Sequence, residues 1–181
     1  MKKEDLSKQL KELGLKKRMK ILVHVSLSKI GYVDNGPDSL ISVIKEIISD
    51  DGIIVMPAYN SYGEYKPNLS IVNEIFKNQC DTIRTNHVIA SFAVWGNEKE
   101  KIGVNIEYTE EYLSSDVKRI SFHDVAYEEA DFNVIGNEFE SIYKDDGSIF
   151  RFGQVGNAAC RLINQRAFVD FAVDWMNKNR I

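Results

Sequence analysis

The sequence predicts an α/β protein, a three-layer α/β/α sandwich around a central, mostly parallel sheet. Two short runs of branched aliphatics, Ile21-Leu22-Val23 and Ile53-Ile54-Val55-Met56, are apolar throughout, as strands buried on both faces are. Between them lies an amphipathic stretch long enough for a crossover helix, with Leu40, Ile41, Ile44, Ile47 and Ile48 as its core stripe. Strand, helix and strand in that order make a βαβ unit, whose strands pair in parallel and whose crossover is right-handed.

Taken in order, Lys3 to Leu13 reads as an amphipathic helix. Leu6, Leu10 and Leu13 recur at helical spacing, and Gly14 stands where a C-terminal cap belongs. The basic cluster Lys16-Lys17-Arg18 is read as a solvated turn. The first strand breaks at His24 into Ser26-Leu27-Ser28, a loop closed by Gly31 and Asn35-Gly36 before Pro37 opens the crossover helix. Asp50-Asp51-Gly52 ends that helix, and Pro57 stops the second strand. Asn60 to Pro67, with its tyrosines and turn residues, reads as an exposed loop. Leu69 to Phe76 is a short amphipathic helix, and Ala90 to Trp95 a third strand closed by Gly96.

Asn97 to Glu129 is polar and weakly periodic. Beyond it, Asp131 to Tyr143 has helical spacing and Asp145-Asp146-Gly147 is a turn. Ile149 to Gln154 and Ala158 to Ile163 read as strands paired around Gly156. The final helix, Arg166 to Asn177, places Phe168, Val169, Ala172, Trp175 and Met176 on one face. No internal repeat, low-complexity tract or linker divides the chain, so a single domain spanning 1–181 is expected.

Composition narrows the function classes. A chain of 181 residues, 44% hydrophobic and 28% charged, can build one real core. A net charge of −4 argues against a nucleic-acid partner, which calls for a basic face. Cys80 and Cys160 are far apart and form no C-x-x-C pair, so neither a disulfide framework nor a zinc site is expected. The charged N-terminus lacks the apolar core of a secretion signal, and no apolar run approaches the ~20 residues needed to span a bilayer. A cytoplasmic protein without a membrane partner is the expectation.

The loop after the first strand is the first candidate site, because open α/β sheets place ligands beyond the carboxyl ends of their strands. Its hydroxyls and backbone N–H groups could meet a phosphate or a carbonyl. On residue types alone, an ordinary strand-to-helix connection is the commoner outcome. His24, His87 and His123 are the histidines, and no two lie close enough in sequence to suggest a metal site. There is no G-x-S-x-G elbow, Walker loop or G-x-G-x-x-G.

Three blocks in one order carry a more specific signal. VHVSLSKIGYVDNGPDSL with its sequel GIIVMPAYN comes first. Next come Arg84-Thr85-Asn86-His87 and Ser91-Phe92-Ala93-Val94-Trp95-Gly96. Last come Gly153-Gln154-Val155-Gly156-Asn157-Ala158 and Val169-Asp170-Phe171-Ala172-Val173-Asp174-Trp175. Together they resemble the VHSSLSSIG, RS-x-HP…SFAAWG and G-x-V-G-x-A…VDFAV-x-W blocks of the aminoglycoside 3-N-acetyltransferase family. The resemblance implies an acetyl-CoA-dependent N-acetyltransferase, with no metal, acting on a small-molecule amine. An aminoglycoside or another amino sugar would be the acceptor, and antibiotic resistance a consequence where it is an aminoglycoside. Self-association is left open.

The resemblance also suggests site residues. Ile120-Ser121-Phe122-His123 is similar to the family's T-S-[LF]-H segment, which makes His123 the candidate general base and Ser121 a polar support near the acyl carbonyl. A base is needed because the amine arrives mostly as ammonium, and imidazole titrates near neutrality. His87 matches the HP histidine and either lines the acyl site or fixes its loop. Val25, Ser26, Leu27 and Ser28 match the segment that contacts the pantetheine arm and phosphates of acetyl-CoA. The chain departs from the family at Val25, Val88 and Ala126, where a serine, a proline and a glutamate commonly stand. The segment from Trp95 to His123 is also short. These departures keep a second expectation in view, a catalytically inactive relative serving as a binding or assembly protein.

Overall fold

The computed structural model describes residues 1–59, 71–80, 83–86, 91–97 and 129–179. They fall into two units, one within Met1–Arg119 plus Val155–Ala158, the other within Ile120–Gln154 plus Ala159–Ile181.

In the first unit, helix α1 spans Lys3–Leu13 as its spacing predicts and buries Leu6, Leu10 and Leu13. The Gly14 N–H closes it by donating to the Lys11 carbonyl at 3.0 Å. Strand β1 is Lys20–Leu22, and a one-turn helix α2 covers Leu27–Ile30. The crossover helix α3, Gly36–Ile48, carries Pro37 in its first turn and buries Leu40, Ile41, Val43, Ile44, Ile47 and Ile48. Strand β2 follows at Ile53–Tyr59, helix α4 at Ile71–Lys77, and strands β3 and β4 at Ile83–Asn86 and Ser91–Trp95. Helix α1 packs on α3, α3 on α4, and α4 against β2 and β4.

The strands form one sheet in the order β1-β2-β4-β3. Strands β1 and β2 pair in parallel, Lys20 opposite Ile53 and Leu22 opposite Val55, which is the predicted βαβ unit. The other two pairs, β2 with β4 and β3 with β4, are antiparallel. Among the described residues the sheet is therefore mixed, not mostly parallel. One of these antiparallel pairs involves β3, which the sequence does not announce: only residues 87–90 separate it from β4, too few for a parallel crossover. Strand β1 sits at the end of the described sheet, so Leu22 is 44% exposed and the run around it is not buried on both faces.

Pro57 does not stop β2. The ladder to β1 ends at Val55, so Pro57 has no partner there to deprive of an N–H, and the register with β4 shifts between Pro57 and Tyr59. The buried Asn73 of α4 donates from Nδ2 to the Pro57 carbonyl at 2.9 Å, tying helix to strand at this irregularity. Lys45 of α3 lays its ammonium 5.0 Å from the Trp95 ring centre and 5.7 Å from that of Phe76, and donates to Gln79 Oε1 at 2.8 Å.

In the second unit, helix α5 spans Glu129–Tyr143 and helix α6 Gln165–Asn179, with strands β5, Phe150–Val155, and β6, Ala158–Ile163, whose end residues Val155 and Ala158 belong to the first unit. The two strands pair as predicted. Buried Phe139 is the hub of the α5–α6 seam, its ring centre 4.7 Å from Tyr143, 5.0 Å from Phe168 and 5.5 Å from Phe171. The Trp175 indole N–H donates to Glu138 Oε2 at 2.8 Å, and Arg161 pairs with Glu140 at 2.7 Å. Val169, expected on the core face, is exposed. It lies about 100° round the helix from Phe168, which takes the seam. In the predicted turn, Asp146 Oδ1 accepts from the Ser148 N–H and hydroxyl at 2.9 and 2.6 Å, which holds its carboxyl below the ordinary range. No helix among the described residues is long and apolar enough to cross a membrane.

Candidate active site

The candidate cofactor segment begins where β1 ends. The Val23 N–H still donates to the Val55 carbonyl at 2.8 Å, and the chain then leaves the sheet at His24, which is exposed. Ser26 has extended backbone, φ −124° and ψ 104°, and occupies the N-cap position of α2, where the sequence suggested only a loop. Its carbonyl accepts the N–H groups of Lys29 and Ile30 at 3.1 and 3.3 Å. That turn sorts the side chains. Ser26, Ser28 and Lys29 are exposed, Val25 and Leu27 are half-buried, and Ile30 is buried. The two serine hydroxyls stand 3.1 Å apart, a pair able to donate to phosphate or amide oxygens. Gly31, at φ 92°, ends the turn with its N–H on the Leu27 carbonyl at 3.0 Å.

Two segments distant in sequence meet the chain at and just after this turn. The N–H of Asn157, at the tip between β5 and β6, donates to the Ile30 carbonyl at 2.9 Å, and the Asp34 N–H donates to the Met1 carbonyl at 3.0 Å. No sequence signal pointed to either support. Gly156 between two strand-like runs announced a turn, but not what the turn would meet.

His87, Ser121 and His123 lie outside the described residues, as does the tyrosine-bearing stretch 60–67 expected as an exposed loop. The described structure therefore brings together the cofactor-binding candidates Val25, Ser26, Leu27 and Ser28 and leaves the three catalytic candidates unplaced. Among the described residues no cluster of His, Cys, Asp and Glu could hold a metal ion. A shallow depression lies along α1 and α3 and is lined by Lys3, Glu4, Lys8, Lys11, Glu12 and Glu46. It contains no candidate site residue, and its charges answer one another. Glu46 accepts from the Lys3 ammonium and from the Ser42 hydroxyl, which hold its carboxyl below the ordinary range.

The family model of aminoglycoside 3-N-acetyltransferase matches residues 22–113 and 103–177. The SPbeta prophage-derived aminoglycoside N(3')-acetyltransferase-like protein YokD of Bacillus subtilis (strain 168) is 28% identical over 252 aligned positions, spanning 98% of this chain and 93% of that protein. Because the chain has 181 residues, at least 71 of those positions hold no residue of it. The crystal structure of YokD superposes with a TM-score of 0.74 at 24% identity, covering 99% of this chain and 95% of that one. A histidine-to-alanine variant of aminoglycoside acetyltransferase AAC(3)-IVa, in complex with a gentamicin, reaches 0.78 at 19% identity, covering 98% and 89%. AAC-IIIb in its binary complex with CoASH reaches 0.75 at 16%, covering 98% and 97%. Matched by the family model across residues of both of its units, the chain belongs to the aminoglycoside 3-N-acetyltransferase family and is an N-acetyltransferase.

Proposed function

We propose that this enzyme transfers the acetyl group of acetyl-CoA to an amino group of an aminoglycoside or other amino sugar, with His123 as general base. The observation that carries the cofactor half is the Val25–Ser28 segment, which leaves the carboxyl end of β1 with Ser26 and Ser28 exposed and their hydroxyls 3.1 Å apart. That is where an α/β sheet meets its ligand, and a relative of the same fold was crystallised with CoASH. The acceptor half rests on family membership and on a second relative crystallised with a gentamicin.

In the reaction, His123 takes a proton from the acceptor ammonium, and the freed nitrogen attacks the thioester carbonyl. The tetrahedral intermediate needs hydrogen-bond donors at its oxyanion, a role Ser121 would serve. It collapses with cleavage of the C–S bond: the protonated His123 would return its proton to the departing CoA sulfur, which leaves as thiol, and the second ammonium proton passes from the new amide nitrogen to solvent. Val25 to Ser28 would hold the cofactor through backbone and hydroxyl hydrogen bonds, and His87 would line the acyl site or fix its loop. We also read the two units as one acetyltransferase-like domain of three α/β/α layers in a cytoplasmic protein, since the family match spans both.

The alignment positions without counterpart in this chain favour a smaller or carrier-linked amino sugar as strongly as a bulky aminoglycoside. Together with Val25, Val88 and Ala126 they are also what favours the second reading, a relative without catalysis that serves as a binding or assembly protein. Calorimetric titration of acetyl-CoA, run beside thiol release with mixed amino sugars, separates the two. Binding with turnover that His123→Ala abolishes supports the transferase. Binding without turnover on any amine favours the inactive relative, and no binding removes the cofactor assignment.

A further inference from the structure

We infer that the tip between β5 and β6 is the strut that sets the orientation of the cofactor segment, with Gly156 and Gln9 as positioning residues. This rests on the proposed cofactor role of Val25–Ser28. The tip, Val155 to Ala158, belongs to the first unit, with α1 and α2. Three observations converge on it. The Asn157 N–H donates to the Ile30 carbonyl at 2.9 Å, gripping the last turn of α2 from 127 residues away in sequence. Gly156 has a left-handed backbone, φ 57°, and a β-carbon there would collide with the same Ile30 carbonyl oxygen. Its own N–H donates to the Gln9 side-chain oxygen of α1 at 2.7 Å. The approach is thus backbone on backbone, which only glycine permits. At the opposite side of the contact, a β-carbon on Gly31 would sit 2.9 Å from Asn157 Nδ2.

The consequence follows from the size of α2. A four-residue helix has one turn of internal hydrogen bonds and no stability of its own. Its direction, and with it the aim of Ser26 and Ser28, is set by whatever its far end rests on. Ile30 and Gly31 rest on the tip, and the tip is registered on α1 by Gln9. Loosening the strut should therefore weaken CoA binding without moving any residue that touches the reacting atoms.

The test uses the full chain in four forms: wild type, Gly156→Ala, Gln9→Ala and the conservative Gln9→Glu, which keeps an acceptor oxygen. Three quantities are read in each: calorimetric affinity for CoA, hydrogen exchange of the Leu27–Gly31 amides without ligand, and the thermal midpoint. The inference expects CoA affinity to fall on the order of tenfold in Gln9→Ala, the loss of about one hydrogen bond's worth of ordering. It expects faster exchange at Leu27–Gly31 in Gln9→Ala, recovery of both in Gln9→Glu, and a larger loss in Gly156→Ala. Unchanged CoA affinity and exchange in a folded Gln9→Ala overturn it while the cofactor reading stands. Wild type that fails to bind CoA removes the cofactor reading first and the strut's role with it, so the two failures are distinguishable.

Discussion

Gly96 closes β4 at φ 132°, and a β-carbon there would strike the Gly52 carbonyl oxygen. Both the backbone conformation and the space demand glycine, so Gly96→Ala is expected to cost on the order of 1–3 kcal/mol from backbone strain alone, read by chemical denaturation. Glu46 illustrates the opposite case, a side chain whose setting changes its charge equilibrium and little else. Lys3 and Ser42 hold its carboxyl below the ordinary carboxylate range. A lowered folded value means the stabilisation is present above the ordinary value and lost as pH falls through the folded one. The carboxylate is 59% exposed, so the pair is worth at most about 0.2–1 kcal/mol, screened by salt. Lys3→Ala should return the Glu46 titration toward its ordinary value in a carboxyl NMR experiment while the unfolding midpoint barely moves. Of the candidate site residues, Val25, Ser26, Leu27 and Ser28 are placed by the described structure, and the exposure of the two serines is a property of α2 that the residue string Val-Ser-Leu-Ser does not announce.

Elements with long, strongly periodic patterns were legible. Helix α1 and the stripe of α3 follow from Leu and Ile spacing, because their apolar faces exceed what any loop could bury. The hairpin β5–β6 was legible from two runs around a glycine. Short elements were not. Helix α2 exists because Ile30 has a place to go, and β3 exists because β4 offers it an edge, Ile83 opposite Val94. Neither has enough internal signal to be recognised alone. Helix α6 shows a third limit. Its apolar sector is wide, and the choice of Phe168 and Phe171 over Val169 for the seam belongs to Phe139 of α5. Phe139→Ala, which empties that hub, is expected to cost about 3–5 kcal/mol, read by chemical denaturation. Gln9→Ala should leave that seam's near-ultraviolet aromatic signal unchanged, since the two contacts lie in different units.

At the scale of the whole molecule, a co-substrate that binds only the folded chain stabilises it by mass action. Acetyl-CoA at about a hundred times its dissociation constant should raise the unfolding free energy by about 2.7 kcal/mol. A thermal shift measured with increasing acetyl-CoA checks this, and a flat response removes the cofactor reading. What the sequence by itself determined was the βαβ opening, the helices with full apolar stripes, the β5–β6 hairpin and the family. All of these rest on local periodicity or on ordered motif blocks that need no knowledge of contacts. What only the tertiary structure decided was the antiparallel half of the described sheet, the passage of β2 through Pro57, the exposure of the Ser26–Ser28 pair and the seat of Gly156 on Ile30. Each of these depends on a partner distant in sequence, and the physical reason is the same throughout. A backbone donor, a strand edge or a small volume of space has no value until another segment arrives to use it.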